Sequence, residues 1–143
     1  MSRSDMVVAI ARRWIGTPYR HQASVCGVGA DCLGLVRGIW RELYGAEPEI
    51  VPPYSSDWGE YGGTELLAAG AGRHLRPAEG ALAAGQILLF RMRRAGVAKH
   101  LGVVSASGAA PAFIHAYDRH GTVESPLSAP WQHRIAARFR FPD

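Results

Sequence analysis

The spacing of apolar residues changes character near the middle of the chain. In the first half they recur every three or four positions, and in the second they form short runs broken by Gly, Ser and Pro. Ser4 precedes Met6, Val7, Ile10 and Trp14, which make one face of a helix, and Gly16, Thr17 and Pro18 stop it. Tyr19 to Ala30 follows neither period and is expected to be an irregular loop. Asp31 then caps a second helix, with Leu35, Val36, Ile39, Trp40 and Leu43 on one face and Gly45 at its C-terminal end. Gly34 and Gly38 weaken that helix intrinsically, which predicts that a sheet or another helix approaches closely there.

Ala46 to Gly63 holds Pro48, Pro52, Pro53, Tyr54, Trp58 and Tyr61, so it cannot be regular; it is long for a passive connector and is expected to rim a cleft. Thr64 starts a short helix through Leu66, Leu67, Ala71 and Leu75, which Pro77 ends. Four later runs, 87–92, 101–104, 112–117 and 134–141, read as antiparallel strands. In the last, Ile135, Ala137, Phe139 and Phe141 alternate with Arg134, Ala136, Arg138 and Arg140, giving one core face and one wet face. Helices followed by strands, with no repeat and no linker, predict a single α+β domain over residues 1–143.

Composition narrows the function classes. With 48% hydrophobic and 20% charged residues, the chain carries a core rather than the make-up of a disordered segment. No stretch approaches the roughly 18 apolar residues of a membrane span, and the first residues lack the apolar core of a secretory signal. Synthesis in the cytoplasm without a signal peptide, and no membrane partner, are the expectations. The net charge is +4, and Lys99 is the only lysine among 16 cations. These cations are dispersed except for Arg91, Arg93, Arg94 and Lys99, which read as a solvated hairpin, so nucleic acid is not expected as a partner. Two cysteines, Cys26 and Cys32, are too few for a disulfide framework.

Cys32 carries the sharpest chemistry. At the first turn of a helix a thiol meets unpaired N–H groups and the positive end of the macrodipole, which favour its anion, and the same groups can donate to a developing oxyanion. Of His21, His74, His100, His115, His120 and His133, two interrupt apolar runs: His100 before Leu101-Gly102-Val103-Val104, and His115 within Phe113-Ile114-His115-Ala116-Tyr117. If those strands are neighbours, the imidazoles meet, with His100 as base and His115 as the residue that orients it. By ligand type, Cys26, Cys32, His100 and His115 suit a zinc site instead, although their spacing does not argue for one.

Three blocks, Gly29-Ala30-Asp31-Cys32-Leu33-Gly34-Leu35-Val36, Lys99-His100-Leu101-Gly102-Val103-Val104 and Phe113-Ile114-His115-Ala116, resemble the signature of the NlpC-type cell-wall peptidases. Trp14-Ile15-Gly16-Thr17-Pro18-Tyr19-Arg20-His21-Gln22 and Pro52-Pro53-Tyr54 resemble the branch found among tail genes of phages and gene transfer agents. The resemblance spans nearly the whole chain. It implies a papain-like fold, N-terminal helices packed on a central antiparallel sheet, and a cysteine peptidase that cuts peptidoglycan stem peptides, commonly beside D-glutamyl, without a cofactor. It makes Cys32 the nucleophile, His100 the general base and acid, and His115 the orienting residue. It also places Tyr19 near the oxyanion or substrate and gives Asp31 a part in recognising a substrate amine. The implied setting is a phage-like tail tip, with tail hub or tip proteins as partners; the alternative is a structural hub component with this fold and little activity. The chain departs from the family pattern in two places. Leu33 stands where a small hydroxyl residue is common, which bears on the specificity pocket. Gly85-Gln86 stands in place of Gly-Asp, which is expected to remove a structural turn contact.

Overall fold

The structure is a computed structural model that describes residues 1–58 and 63–143. Helix α1 (Arg3–Trp14) begins earlier than its apolar pattern suggests, because Ser2, not Ser4, is the cap. The Ser2 hydroxyl accepts from the Asp5 N–H at 3.0 Å and the Asp5 carboxylate accepts from the Ser2 N–H at 3.3 Å, a reciprocal capping box. Tyr19 to Ala30 is not wholly irregular. Strands β1 (Ser24–Val25) and β2 (Gly29–Ala30) form a small hairpin, and Tyr19 bridges Ala30 in parallel. Two-residue strands are too short for a period of two to be visible.

Helix α2 (Cys32–Tyr44) is capped by Asp31 and ends at Gly45, whose φ of 92° only glycine adopts freely. The close approaches expected at its glycines are real. A Cβ on Gly38 would meet the Trp14 ring of α1 at 2.1 Å, and one on Gly34 would meet the Ala23 carbonyl oxygen at 1.8 Å. The neighbour at Gly34 is thus loop backbone rather than a sheet or helix. Helix α3 (Leu66–His74) starts after Glu65 without a side-chain cap, so Thr64 does not play that part. Glu65 instead binds Arg91 at 2.5 Å and the Ala98 N–H at 3.0 Å. Arg91 therefore serves structure, whereas its neighbours Arg93 and Arg94 are exposed.

The sheet contains β3 (Arg76–Pro77), β4 (Ile87–Arg91), β5 (Ala98–Ala106), β6 (Ala112–Tyr117), β7 (Gly121–Pro126) and β8 (Ile135–Arg140). Their order is β3-β8-β4-β5-β6-β7 and every pairing is antiparallel. Strand β7 and the short helix α4 (Ala129–His133) are absent from the sequence reading. Gly-Thr-Val-Glu-Ser-Pro has one large apolar side chain, and it forms a strand because it pairs along the whole of β6 at the sheet edge, where a terminal Pro is tolerated. Gln86 makes bonds of its own: its amide donates to the Ala81 carbonyl and its oxygen accepts from Arg138 at 3.1 Å.

Both sheet faces are covered. Ile87, Leu89, Leu101, Val103 and Ile114 pack with Val7, Leu35, Ile39 and Leu67 of the helices, while Leu88, Phe90, Val104 and Phe113 pack with Leu127 and Trp131 on the other side. This explains why β4 reads as a continuous apolar run rather than an alternating one. Among the described residues no helix is long and apolar enough to cross a membrane.

Alanine substitutions report on the close approaches. Helix propensity favours Gly→Ala by up to about 1 kcal/mol, whereas overpacking costs about 1–3 kcal/mol. Gly72→Ala, with open space around it, is expected to raise the melting temperature. Gly38→Ala should lower it, and Gly34→Ala should lower it further because backbone yields less than a side chain; equal effects at all three positions contradict this packing.

Candidate active site

Asp31 organises the start of α2. Its Oδ1 accepts the Gly34 N–H at 2.7 Å, and its Oδ2 accepts the Gln22 N–H at 2.7 Å and the Tyr54 hydroxyl at 2.5 Å. The His21 ring approaches the same oxygen at 3.7 Å, and Asp31 is only 2% exposed. The carboxylate proposed for a substrate amine is thus already engaged by the fold. Tyr19 is half-buried, and its hydroxyl is pushed up to about 12 by burial, then by Cys32 and Asp31, so it faces the same site.

The Cys32 thiol is 8% exposed and lies 3.9 Å from the Lys99 carbonyl oxygen. The Leu101 N–H also reaches it, so the sulfur rests against the two peptide groups that flank the His100 Cα. The topology explains the contact. The ladder between β5 and β6 runs from Ala106 opposite Ala112 to Val103 opposite Ile114 and stops, and beyond that end the main chain of Lys99 and Leu101 meets Cys32. Burial pushes the thiol up to about 12, Asp31 adds to this, and the N–H groups of Leu101, Leu33 and Cys32 oppose it without prevailing. The thiolate expected from the helix start is therefore not the resting form; the thiol is.

The two imidazoles meet across the strands. His100 Nε2 is 2.8 Å from His115 Nδ1, and His115 Nε2 is 3.0 Å from Ser125 Oγ on β7. Trp131 of α4 packs its ring 5.8 Å from that of His100 and 5.2 Å from that of His115. Burial pulls His100 down to about 3, with His115 adding to the effect, and pulls His115 down to about 4, with His120 adding. Both rings are neutral at pH 7. One tautomer pair leaves His100 a free acceptor: Nε2–H donates to His115 Nδ1, and His115 Nε2–H donates to Ser125. His100 Nδ1 is then the acceptor.

The structure thus brings Cys32, Asp31, Tyr19, His100 and His115 to one region. Cys26 is elsewhere in character: it is exposed, its thiol 3.5 Å from the Arg13 carbonyl oxygen, and both cysteines are free. Among the described residues no three His, Cys, Asp or Glu side chains converge on a point a metal could occupy. Ser125, Tyr54 and Trp131 were not singled out as site residues. Ser125 sits on the unforeseen β7, and only Tyr54 carried a signal, in the rigid Pro52-Pro53 before it. Most residues from Glu47 to Trp58, among them Pro52, Pro53, Tyr54 and Trp58, line a cavity of about 470 Å³ beside this region, in keeping with a cleft rim, and Tyr61 lies outside the described residues.

No protein-family model matches the sequence, and no curated protein does. Solved structures match the fold. One is a lipoprotein-like NLP/P60 family protein from Staphylococcus aureus, with TM-score 0.62, 19% identity, and 99% of this chain against 42% of that one. Another is an NlpC/P60 family protein from Bacillus cereus, with TM-score 0.65, 19% identity, and 96% of this chain against 40% of that one. The NlpC/p60 domain of the peptidoglycan hydrolase SagA matches at TM-score 0.56 and 21% identity over 98% of both chains. This chain spans about two fifths of the length of the first two. At these identities the likeness is one of fold, and the fold is the α+β, papain-like one of NlpC/P60 domains.

A protonated resting thiol has a kinetic signature. In Cys26→Ser protein, alkylation of Cys32 by iodoacetamide should rise about tenfold per pH unit from 7 to 10. A rate that is flat from pH 5 to 8 indicates a standing thiolate–imidazolium pair and contradicts this assignment. The histidines give a second expectation. Below pH 6.5 the unfolded chain takes up protons at His100 and His115 that the folded chain refuses, so stability falls from pH 6.5 toward 4. The urea midpoint should fall less steeply over that range in His100→Asn than in the wild type; parallel curves speak against buried neutral imidazoles.

Proposed function

We propose that the chain is a cysteine hydrolase that cuts amide bonds in peptidoglycan stem peptides. One observation carries the reading: the Cys32 thiol rests against the backbone on both sides of His100, whose ring is hydrogen-bonded to His115 and through it to Ser125, in a fold shared with the hydrolase domain of SagA. The sulfur attacks the scissile carbonyl as its proton passes to His100 Nδ1. The carbon–nitrogen bond then breaks as that proton passes to the leaving amine, leaving a thioester. Water, relieved of a proton by His100, adds to the thioester, and the proton returns to the sulfur as the carbon–sulfur bond breaks. His115 holds His100 in the accepting tautomer, the N–H groups at the start of α2 face the developing oxyanion, and Tyr19 lies beside them. No step needs a cofactor.

The setting proposed is a phage-like tail particle, where the domain would open the wall for DNA delivery while attached to tail hub or tip proteins. The sequence blocks around Trp14-to-Gln22 and Pro52-Pro53-Tyr54 support it. A second reading, a structural hub component of low activity, draws support from the buried, protonated thiol.

Digestion of muropeptides, followed by mass spectrometry, separates the two. The wild type is expected to release stem fragments. Cys32→Ala should lower the rate by about a thousandfold or more, and His115→Ala by about ten- to a hundredfold. A wild type as inert as Cys32→Ala in reducing buffer removes the enzyme reading and leaves the hub.

A further inference from the structure

The cavity of about 470 Å³ lies between α2, α3 and the segment before residue 59. It is of the size that holds small organic ligands. Its wall begins one residue from the thiol: Leu33 follows Cys32, and Leu101 is the residue whose N–H reaches the sulfur. Val36, Leu66, Leu67 and Trp58 continue the lining. Tyr54 joins it to the site, since its ring stacks on Trp58 at 4.3 Å while its hydroxyl donates to Asp31. The charged groups at the cavity are matched with one another. Arg37 Nε binds Glu47 at 2.6 Å, and Glu49 accepts from Arg73 at 2.8 Å and contacts His74 at 2.7 Å. An ionic ligand would have to break these pairs, whereas an apolar one would not.

We infer that this cavity is the subsite for a bulky apolar group on the substrate, a large side chain or an N-acyl chain beside the scissile amide. The inference rests on Cys32 being the nucleophile and narrows the substrate class. A stem of alanine and glutamate alone leaves most of this volume empty. Leu33 sets the character of the wall, because the small hydroxyl residue common at that position in the resembled family would make it polar.

Binding to full-length Cys32→Ala protein tests the pocket apart from catalysis. Three probes, titrated by calorimetry, are N-acetyl-Ala-Ala amide, N-octanoyl-Ala-Ala amide and N-acetyl-Phe-Ala amide. At least one apolar probe is expected to bind about tenfold or more tighter than N-acetyl-Ala-Ala amide. A gain for octanoyl alone assigns the pocket to an acyl chain, and a gain for phenylalanyl alone to a side chain. Leu66 is 52% exposed, so Leu66→Glu introduces charge without opening the core and should abolish the preference; Leu33→Ser should reduce it. Equal affinity for all three probes overturns the inference, as does a preference that survives both substitutions. Should the preference hold while the wild type hydrolyses no amide, the hydrolase proposal fails and the pocket stands.

Discussion

The buried carboxylate of Asp31 is the constraint on which the site depends. A charge that is 2% exposed is costly unless hydrogen bonds replace its water, and here the Gly34 N–H, the Gln22 N–H and the Tyr54 hydroxyl do so. Each comes from a different stretch of chain: the first turn of α2, the loop before β1 and the proline-rich segment after α2. One side chain thereby fixes the start of a helix, the loop that leads to it and the segment lining the neighbouring cavity. Cys32, the next residue, has little freedom left, and its sulfur is set against β5.

The electrostatics of that sulfur come from two opposed effects. Helix-start amides stabilise an anion, and desolvation destabilises it; with the thiol 8% exposed and Asp31 adjacent, desolvation wins. Burial acts unopposed on the imidazoles beside Trp131 and holds them neutral. Thiol and imidazole therefore rest uncharged. The sheet contributes by ending a ladder early. Where β5 and β6 stop pairing, the backbone of one strand meets a helix start, and the side chains of both strands meet each other.

The main helices and the meeting of His100 with His115 were legible because each is written as a period or as a polar break within an apolar run; the alternation in β8 holds for Ala137, Phe139 and Phe141, but a register shift turns Ile135 to the opposite side, beside Phe90. Gly34 and Gly38 signalled close neighbours but not which ones, since a missing side chain records proximity without naming its source. Strand β7 was illegible: Thr122, Val123 and Glu124 form a strand through pairing with β6, which no local pattern records. Ser125 was hidden with it. The charge state of Cys32 also escaped the sequence, because a helix start is a local feature whereas burial is decided by Leu101 and the rest of β5.

Because β7 is the sheet's edge strand and Ser125 is only half-buried, the row of side chains that begins in the interior finishes at the rim of the molecule. His100, His115 and Ser125 therefore form one hydrogen-bonded row whose inner end is buried beside Trp131 and whose outer end lies near bulk water. The buried imidazoles are thus linked to bulk water through the edge strand rather than through the start of α2.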